Sequence, residues 1–362
     1  MRKSLLFSIL IVVSSFAIAE ETPRTESLRR GLDYLLSHQE EDGHFSDSDT
    51  PALTALPLWA AIECARSGVK STRFTDEECA AKLERAAKFI ISRQLEDGSF
   101  RQKKARRVPG GLSTYNTAVC LTALFEYGKA PREALLKARK FLAASQLQGD
   151  DTMAGGFGYG PATSPRRYAD LSNTAYALDA MRRTEGLEEF RQGEGKIDVD
   201  WTKAVAFVEN LQESDGPRKG GAAYNERTPQ GGSETNGSGR VRLMAYGSMS
   251  YAAVMVMAHA KLTRGDARVK NALSYCEKYW TIDENPGMGS QGLYYYFDIL
   301  SRALSAAGVE KIGDHLWKRE LSDKIVSLQK SDDSWSNTNN RFWEADPVLC
   351  TSFALICLSL CR

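Results

Sequence analysis

Residues 94–100 read QLEDGSF, and variants of this stretch recur along the chain. Such a repeat is the first feature to establish in a sequence, because its period defines the architecture. The other copies are QEEDGHF at 39, QLQGDD at 146 followed by GGFGYG, QESDG at 212 followed by GGAAY, QKSDDSW at 329, and a degenerate copy in which Trp280 replaces the Gln and ENPGMG follows. The copies lie about one supersecondary unit apart, which predicts a repeat architecture.

Each copy stands between two different kinds of helix. The segment before it is amphipathic: Leu83, Ala87 and Ile90 share one helical stripe with Gln94. The Asp-Gly pair after the Gln is a helix stop and a turn. The segment after the turn is apolar on nearly all sides, as is typical of an interior helix; the six are TPALTALPLWAAIECA, YNTAVCLTALFEYG, LSNTAYALDAM, GSMSYAAVMVMAHA, GLYYYFDILSRAL and VLCTSFALICLSL.

Six such hairpins in succession predict an all-α fold, a single six-hairpin α/α toroid. Its inner ring would consist of the apolar helices, all parallel, and its outer ring of the amphipathic helices. A closed ring needs no capping repeats, whereas an open solenoid does. The predicted toroid encloses a central cavity.

Residues 1–19 predict a cleavable secretory signal peptide. Met1, Arg2 and Lys3 precede an apolar run, and Ala17-Ile18-Ala19 is a small-residue cleavage site. The run is too short for a membrane span, so we expect a secreted or periplasmic protein without stable membrane insertion. Residues 20–362 then form one toroid domain. Its long loop at about 216–245 contains GGSETNGSGR and is predicted to be mobile, as a lid over the cavity or as an insertion.

The overall composition does not indicate a class of binding partner. The formal net charge is +1, and nothing points to a nucleic-acid partner or to a particular oligomer. The seven cysteines include no C-x-x-C pair, so neither a zinc ribbon nor a thioredoxin-type site is indicated. The spacing of Cys64 and Cys79 permits a disulfide between them but does not require one.

The pattern Q-x-x-D-G-S-[FW] followed by an apolar helix resembles the QW repeat of squalene and hopene cyclases. The same hairpin builds the toroid of protein prenyltransferase β subunits. The stretches YGSMSYA and ENPGMGSQGLYYY are similar to those of secreted bacterial proteins with prenyltransferase/squalene-oxidase repeats. The resemblance covers residues 26–361 and implies the toroid of the terpenoid cyclase superfamily. It implies no single reaction, because one fold hosts many.

The resemblance to cyclases would imply a D-x-D-D-T-A acid motif at the start of an inner helix. DLSNTA at 170–175 aligns with it, so that Asp170 matches the first Asp and Thr174 the Thr. Ser172 occupies the place of the proton donor, and Asn173 that of the third Asp. Because a hydroxyl cannot protonate an alkene, we expect a toroid that lacks this acid.

The resemblance to prenyltransferases would imply a zinc site built from D-x-C and a His. No D-x-C occurs, and of the four histidines only His259 lies on a predicted inner helix. We therefore expect no metal and no cofactor.

The mouth of the ring is the place where an anion is expected. Six parallel inner helices gather their N-termini there, and their partial positive charges favour anions. The loops 99–112, 147–169 and 216–245 are rich in Arg and Lys, and Arg166, Arg167 and Arg242 are candidate ligands. The alternative is a solvated basic rim.

Aromatic and polar residues of the inner helices are candidates for the cavity wall, where rings would hold an isoprenoid chain or stabilise a cation. They are Tyr115, Asn116, Ser172, Asn173, Tyr246, Tyr251, Tyr294, Tyr295 and Trp343. Packing between the two rings of helices is the alternative role for the aromatic rings.

The candidate catalytic acids are Asp170, Glu344 and Asp346, since two carboxylates can act as general acid and base on a glycan. Each also lies at the predicted N-cap position of a helix, which is the alternative role for these acids.

These observations predict an exported toroid that binds or processes an isoprenoid or lipid-like anionic ligand in its central cavity. One alternative is a lyase or hydrolase acting on acidic glycan, and a second is a non-catalytic binding toroid. The expected partner is thus a hydrophobic or anionic small molecule, or an acidic glycan. A cavity walled by Tyr and Trp without paired carboxylates favours the first prediction.

Overall fold

A computed structural model describes residues 22–102, 109–164, 168–193, 195–235 and 241–362. Twelve α-helices in these ranges form six hairpins, each an outer helix followed by an inner one. The outer helices are α1 Pro23–Ser37, α3 Asp76–Ser92, α5 Arg132–Ser145, α7 Trp201–Leu211, α9 Ala267–Lys278 and α11 Trp317–Ser327. The inner helices are α2 Ala52–Arg66, α4 Ser113–Tyr127, α6 Leu171–Arg183, α8 Gly247–His259, α10 Leu293–Ala306 and α12 Pro347–Leu360.

The inner helices form a closed ring. Each packs against the next in chain order, and α12 packs against α2, which joins the two ends of the chain. The outer helices lie against this ring; α1, for example, contacts α2, α11 and α12. The predicted all-α toroid with inner and outer rings is confirmed. Within the described residues, no helix is long and apolar enough to cross a membrane.

The repeated Gln holds neighbouring hairpins together. Gln94 Nε2 donates to Gly98 O in its own turn (3.1 Å) and to Ala134 O of the next outer helix (2.8 Å). Gln39, Gln146 and Gln212 make the same pair of bonds. Gln329 closes the ring, because its Nε2 donates to Asp333 O and to Ser27 O in α1.

A small hydroxyl in five of the six inner helices fixes the preceding turn to that helix. Thr174 Oγ1 donates to Asp170 O (2.6 Å) and accepts from Phe157 N (2.9 Å). The residues that accept in the same way from the turn before their helix are Thr54, Thr117, Ser250 and Thr351. Gly292 occupies the sixth place and has no hydroxyl.

The remaining structure lies in the connections. Short 3₁₀ turns occupy Pro109–Leu112, Glu185–Phe190 and Arg341–Trp343. In the long loop, β1 Ser233–Thr235 pairs antiparallel with β2 Val241–Leu243, with Glu234 opposite Arg242. The mobility of this loop stays a prediction, as does the signal peptide, which lies outside the described residues. All seven cysteines are free thiols, so Cys64 and Cys79 are not bridged.

Candidate functional site

The first turns of all six inner helices surround one cavity of about 400 Å³. This volume lies within the range of small-molecule sites. The lining residues are Thr50, Ala52, Leu53, Leu112, Tyr115, Tyr159, Ser172, Asn173, Tyr224, Gln230, Tyr246, Ser248, Met249, Asn285, Met288, Gly292, Tyr295, Phe342, Trp343, Leu349 and Phe353. Aromatic and aliphatic side chains dominate this wall. Among the described residues it contains no Asp, Glu, Lys or Arg.

Tyrosines form the floor of the cavity. The ring of Tyr176 contacts Tyr115 edge-on (5.1 Å between centroids) and stacks with Tyr295 (6.1 Å). Tyr295 and Ser172 share a hydrogen bond between their hydroxyls (2.8 Å). The helices α6 and α10, which are separated in the ring by α8, are thereby joined at the cavity.

A buried ion network fills the ring beneath this floor. Tyr176 donates to Asp298 Oδ2 (2.9 Å), and the Arg302 guanidinium bonds both Asp298 (2.8 Å) and Asp179 (2.5 Å). Arg302 also lies over the rings of Tyr176 and Trp59. Because these groups are buried, the charges are paired with one another and are not offered to a ligand. The cavity therefore opens at the N-terminal ends of the inner helices.

Most inner helices have their first turn capped by the next unit of the ring. Ala52 N of α2 donates to Asn116 Oδ1 (3.2 Å), and Leu171 N of α6 donates to Tyr224 O (2.9 Å). Equivalent bonds run from Thr114 N to Tyr159 O and from Gly247 N to Pro286 O. These N–H groups are satisfied by protein acceptors, so they are not available to the anion predicted at the mouth.

Asp170 is a buried N-cap. Its side chain accepts from Asn173 N (2.8 Å) and from Asn173 Nδ2 (2.7 Å), and it also accepts from the hydroxyl of Tyr224. Burial raises the pKa of Asp170 to about 7, because the desolvation outweighs these hydrogen bonds and that from Ser172 N. The carboxyl lies behind Asn173 and Tyr224 and does not line the cavity.

Glu344 caps an inner helix from a distance in the chain. Helix α10 begins after Gly292, which is left-handed and offers no side chain, and Glu344 Oε1 accepts from Tyr295 N (2.8 Å). Oε2 accepts from Asn337 Nδ2 (2.7 Å). Burial raises the pKa of Glu344 to about 7 against these hydrogen bonds. Like Asp170, this acid is fully buried and lies outside the cavity wall.

Asp346 is the N-cap of α12. Its Oδ1 accepts from Val348 N (2.8 Å), and its Oδ2 accepts from the hydroxyl of Ser46. All three candidate catalytic acids therefore cap inner helices, and none of them lines the cavity. Their catalytic role stays a prediction.

The structure brings together six of the other predicted site residues. Those that line the cavity are Tyr115, Ser172, Asn173, Tyr246, Tyr295 and Trp343. Tyr251 is buried against Tyr296, Tyr294 packs against Phe297, and Asn116 caps α2. Arg242 is also outside the wall, because its guanidinium pairs with Asp215 (3.0 Å) and Glu213 (3.3 Å). Arg166 and Arg167 lie outside the described residues.

Two tyrosines of the wall are not among the predicted residues. The Tyr159 and Tyr224 hydroxyls lie 2.7 Å apart, and the Tyr159 ring stacks on Tyr168. Both lie in connections between helices, so the pattern of the inner helices does not predict them. The sequence nevertheless indicates that the two tyrosines belong together. They are the last residues of GGFGY at 155–159 and GGAAY at 220–224, which are equivalent copies of one turn.

The mouth of the cavity carries two exposed aromatic residues. Phe342 and Trp343 are 47% and 48% exposed, and both adopt positive φ, 60° and 65°. Such a backbone is costly for bulky residues and is retained mainly where the surrounding structure or a function requires it. The neighbouring Arg341 donates to Gln230 Oε1 (2.7 Å), which links this turn to the long loop.

No metal site is evident in the part of the chain that the structure describes, since no group of three or more His, Cys, Asp and Glu side chains converges there. The chemistry within reach of the cavity is that of hydroxyls, amides and aromatic rings. Asp170 contacts it only through Tyr224 and Asn173.

Several solved structures are similar to this fold. No family model matches the chain. The type II terpene cyclase MstE from Scytonema is similar over 94% of this chain and 97% of its own, with a TM-score of 0.52 and 12% identity.

Two glycoside hydrolases are also similar. A family 76 enzyme from a bovine Bacteroides thetaiotaomicron strain matches with a TM-score of 0.60 and 11% identity, over 94% of this chain and 77% of its own. An inactive α-1,6-mannanase variant of a Salegentibacter species, in complex with α-1,6-mannotriose, matches with a TM-score of 0.56 and 14% identity, over 93% and 98%. At these identities the likeness shows the fold alone: the chain is an α/α toroid, of the kind found both in a terpene cyclase and in glycoside hydrolases.

Proposed function

We propose that this toroid binds a largely apolar small molecule of isoprenoid or lipid-like chemistry in its central cavity. The observation that carries the proposal is the wall of the cavity, which is largely aromatic and aliphatic and holds no Asp, Glu, His, Lys or Arg among the described residues. Apolar surface gains about 25 cal/mol for each Å² removed from water. A cavity of this kind therefore favours an apolar body over a charged one.

The acids near the cavity do not favour cyclisation started by protonation of an alkene. That step needs a strong acid in contact with the substrate. Asp170 has a pKa of about 7 and lies behind the wall, and Ser172 stands where cyclases resembling this chain have the donor. We infer a binding function, or a reaction milder than alkene protonation.

An anionic group on the ligand stays a prediction. In the long loop, Arg218 pairs with Glu213 and Glu234, and Arg242 pairs with Glu213 and Asp215. These cations are thereby neutralised within the protein. The other basic candidates, Arg166 and Arg167, lie outside the described residues.

The proposal is tested by native mass spectrometry of the purified protein after incubation with a prenyl alcohol such as farnesol. We expect one molecule bound to the wild type. Ser172→Trp puts a large ring into the cavity and should abolish that peak. Leu316→Ser, which changes an exposed apolar residue at the start of the outer helix α11, should leave the peak unchanged. Equal binding by the two variants, with both folded by circular dichroism, would place the ligand elsewhere and refute the proposal.

A glycan-active toroid is the second candidate. It is favoured by the exposed pair Phe342 and Trp343 at the mouth, since aromatic faces stack on sugar rings, and by the similar fold of the mannanase that holds mannotriose. The test is release of reducing ends from α-1,6-mannan and from an acidic polysaccharide. Release that is lost in Trp343→Ala but kept in Phe190→Ala, a change of an equally exposed aromatic residue, would support this candidate. No release from either substrate would exclude it for these glycans.

A further inference from the structure

An acceptor atom without a partner stands at the cavity. Asn173 lines the cavity and is only 2% exposed, yet its Oδ1 has no hydrogen-bond partner among the described residues. Buried polar atoms without a partner are costly and rare in native proteins, so each needs an explanation. A ligand in the cavity that donates a hydrogen bond would supply this partner.

The orientation of the Asn173 amide is fixed by Asp170. Asn173 Nδ2 lies 2.7 Å from Asp170 Oδ2 and donates to it. When Asp170 is ionised, as it is above its pKa of about 7, the reversed amide would set two acceptor oxygens against each other, which is unfavourable. Oδ1 therefore stays on the side of the amide away from Asp170, as an acceptor.

We propose that this corner of the cavity is a subsite for a ligand hydroxyl, which donates its hydrogen bond to Asn173 Oδ1. The ligand would be a neutral alcohol with an apolar body. An ammonium group also donates, but the described wall has no carboxylate to balance its charge. The proposal deepens the proposed function and rests on it.

The test compares three probes of one shape and different polar ends: farnesol, its methyl ether and the hydrocarbon farnesene. Each is titrated as a competitor of a bound apolar dye, Nile red. The ether accepts hydrogen bonds but cannot donate. We expect farnesol to bind about tenfold more tightly than the ether, which is the effect of one hydrogen bond to an otherwise unpaired acceptor.

The variant Asn173→Leu removes the acceptor while it keeps the bulk of the side chain. It should lower the preference for farnesol over the ether severalfold and should still bind farnesene. Leu316→Ser, which changes an exposed residue of the outer ring, should keep the preference. If the leucine variant does not fold, the comparison uses the wild type and the thiol analogue of farnesol, which is a weaker hydrogen-bond donor. The affinity of the wild type for this thiol should fall between its affinities for the alcohol and for the ether.

Two outcomes would overturn the subsite alone. One is equal affinity of the wild type for farnesol and the ether while farnesene still displaces the dye, and the other is an undiminished preference in a folded Asn173→Leu. A failure of the proposed function looks different, because then farnesene and farnesol alike would not displace the dye.

Discussion

At the scale of the residue, Gly220 shows how tightly the turns of the ring are packed. Its φ is +89°, and a Cβ at this position would lie 2.0 Å from Asn271 O of the next outer helix. Gly220→Ala should therefore lower the free energy of unfolding by about 2–4 kcal/mol, through strain and a backbone clash. Denaturant unfolding measures this. In Gly186→Ala a Cβ meets no atom within 4 Å, so that change should cost less than about 0.5 kcal/mol; equal losses would contradict the account.

Asp170 predicts a pH dependence of stability. Burial raises its pKa to about 7 in the folded protein, above the value of about 4 expected in the unfolded chain. The folded state then holds a proton that the unfolded state has released. The contribution of Asp170 is complete below about pH 4 and is lost as the pH rises to about 7, at roughly 1 kcal/mol per pH unit.

The measurement is thermal unfolding of the wild type and of Asp170→Asn between pH 4 and 8. Asparagine cannot ionise, and its side-chain oxygen can still cap α6. The wild type should lose stability relative to the variant as the pH rises through this window. A difference that stays constant from pH 4 to 8 would show that Asp170 titrates normally.

At the scale of the element, the hairpins were predictable because each carries its own signals. Gln94 follows α3 and binds the next outer helix, and Thr117 fixes the turn to α4, so local sequence and tertiary contact agree. The cavity wall was only partly predictable. Tyr115 and Tyr295 lie near inner-helix starts and were found, whereas Tyr159 and Tyr224 lie in connections whose path depends on contacts with the neighbouring unit.

Helix α10 depends on a cap that lies far away in the chain. Gly292 provides no side chain, so Glu344 is the acceptor for the first turn. Glu344→Ala should lower the free energy of unfolding by about 1–3 kcal/mol, because it leaves buried N–H groups unpaired. Glu344→Gln keeps an acceptor and should cost less than half of that. Chemical denaturation gives both values, and hydrogen exchange should show the loss of protection at the start of α10; equal effects of Ala and Gln would argue against the cap.

At the scale of the whole molecule, the ring is closed by contacts between the two ends of the chain. Ser27 Oγ donates to Gln329 Oε1 (2.7 Å), and Gln329 Nε2 donates back to Ser27 O (3.1 Å). The same pair of hydrogen bonds from the repeated Gln joins the other hairpins, which is why the sequence repeat predicts the toroid. The residues of the site are not repeated in this way, because the copies differ there: Asp170 and Glu344 each occur in one hairpin only.

The central claim is that an apolar ligand occupies the cavity between the six inner-helix N-termini. The most direct measurement is a crystal structure of the protein with farnesol. The account predicts density for the chain between Tyr115, Tyr295 and Phe353, with the hydroxyl within about 3 Å of Asn173 Oδ1. An empty cavity, or density for farnesol only at the outer surface, would contradict it.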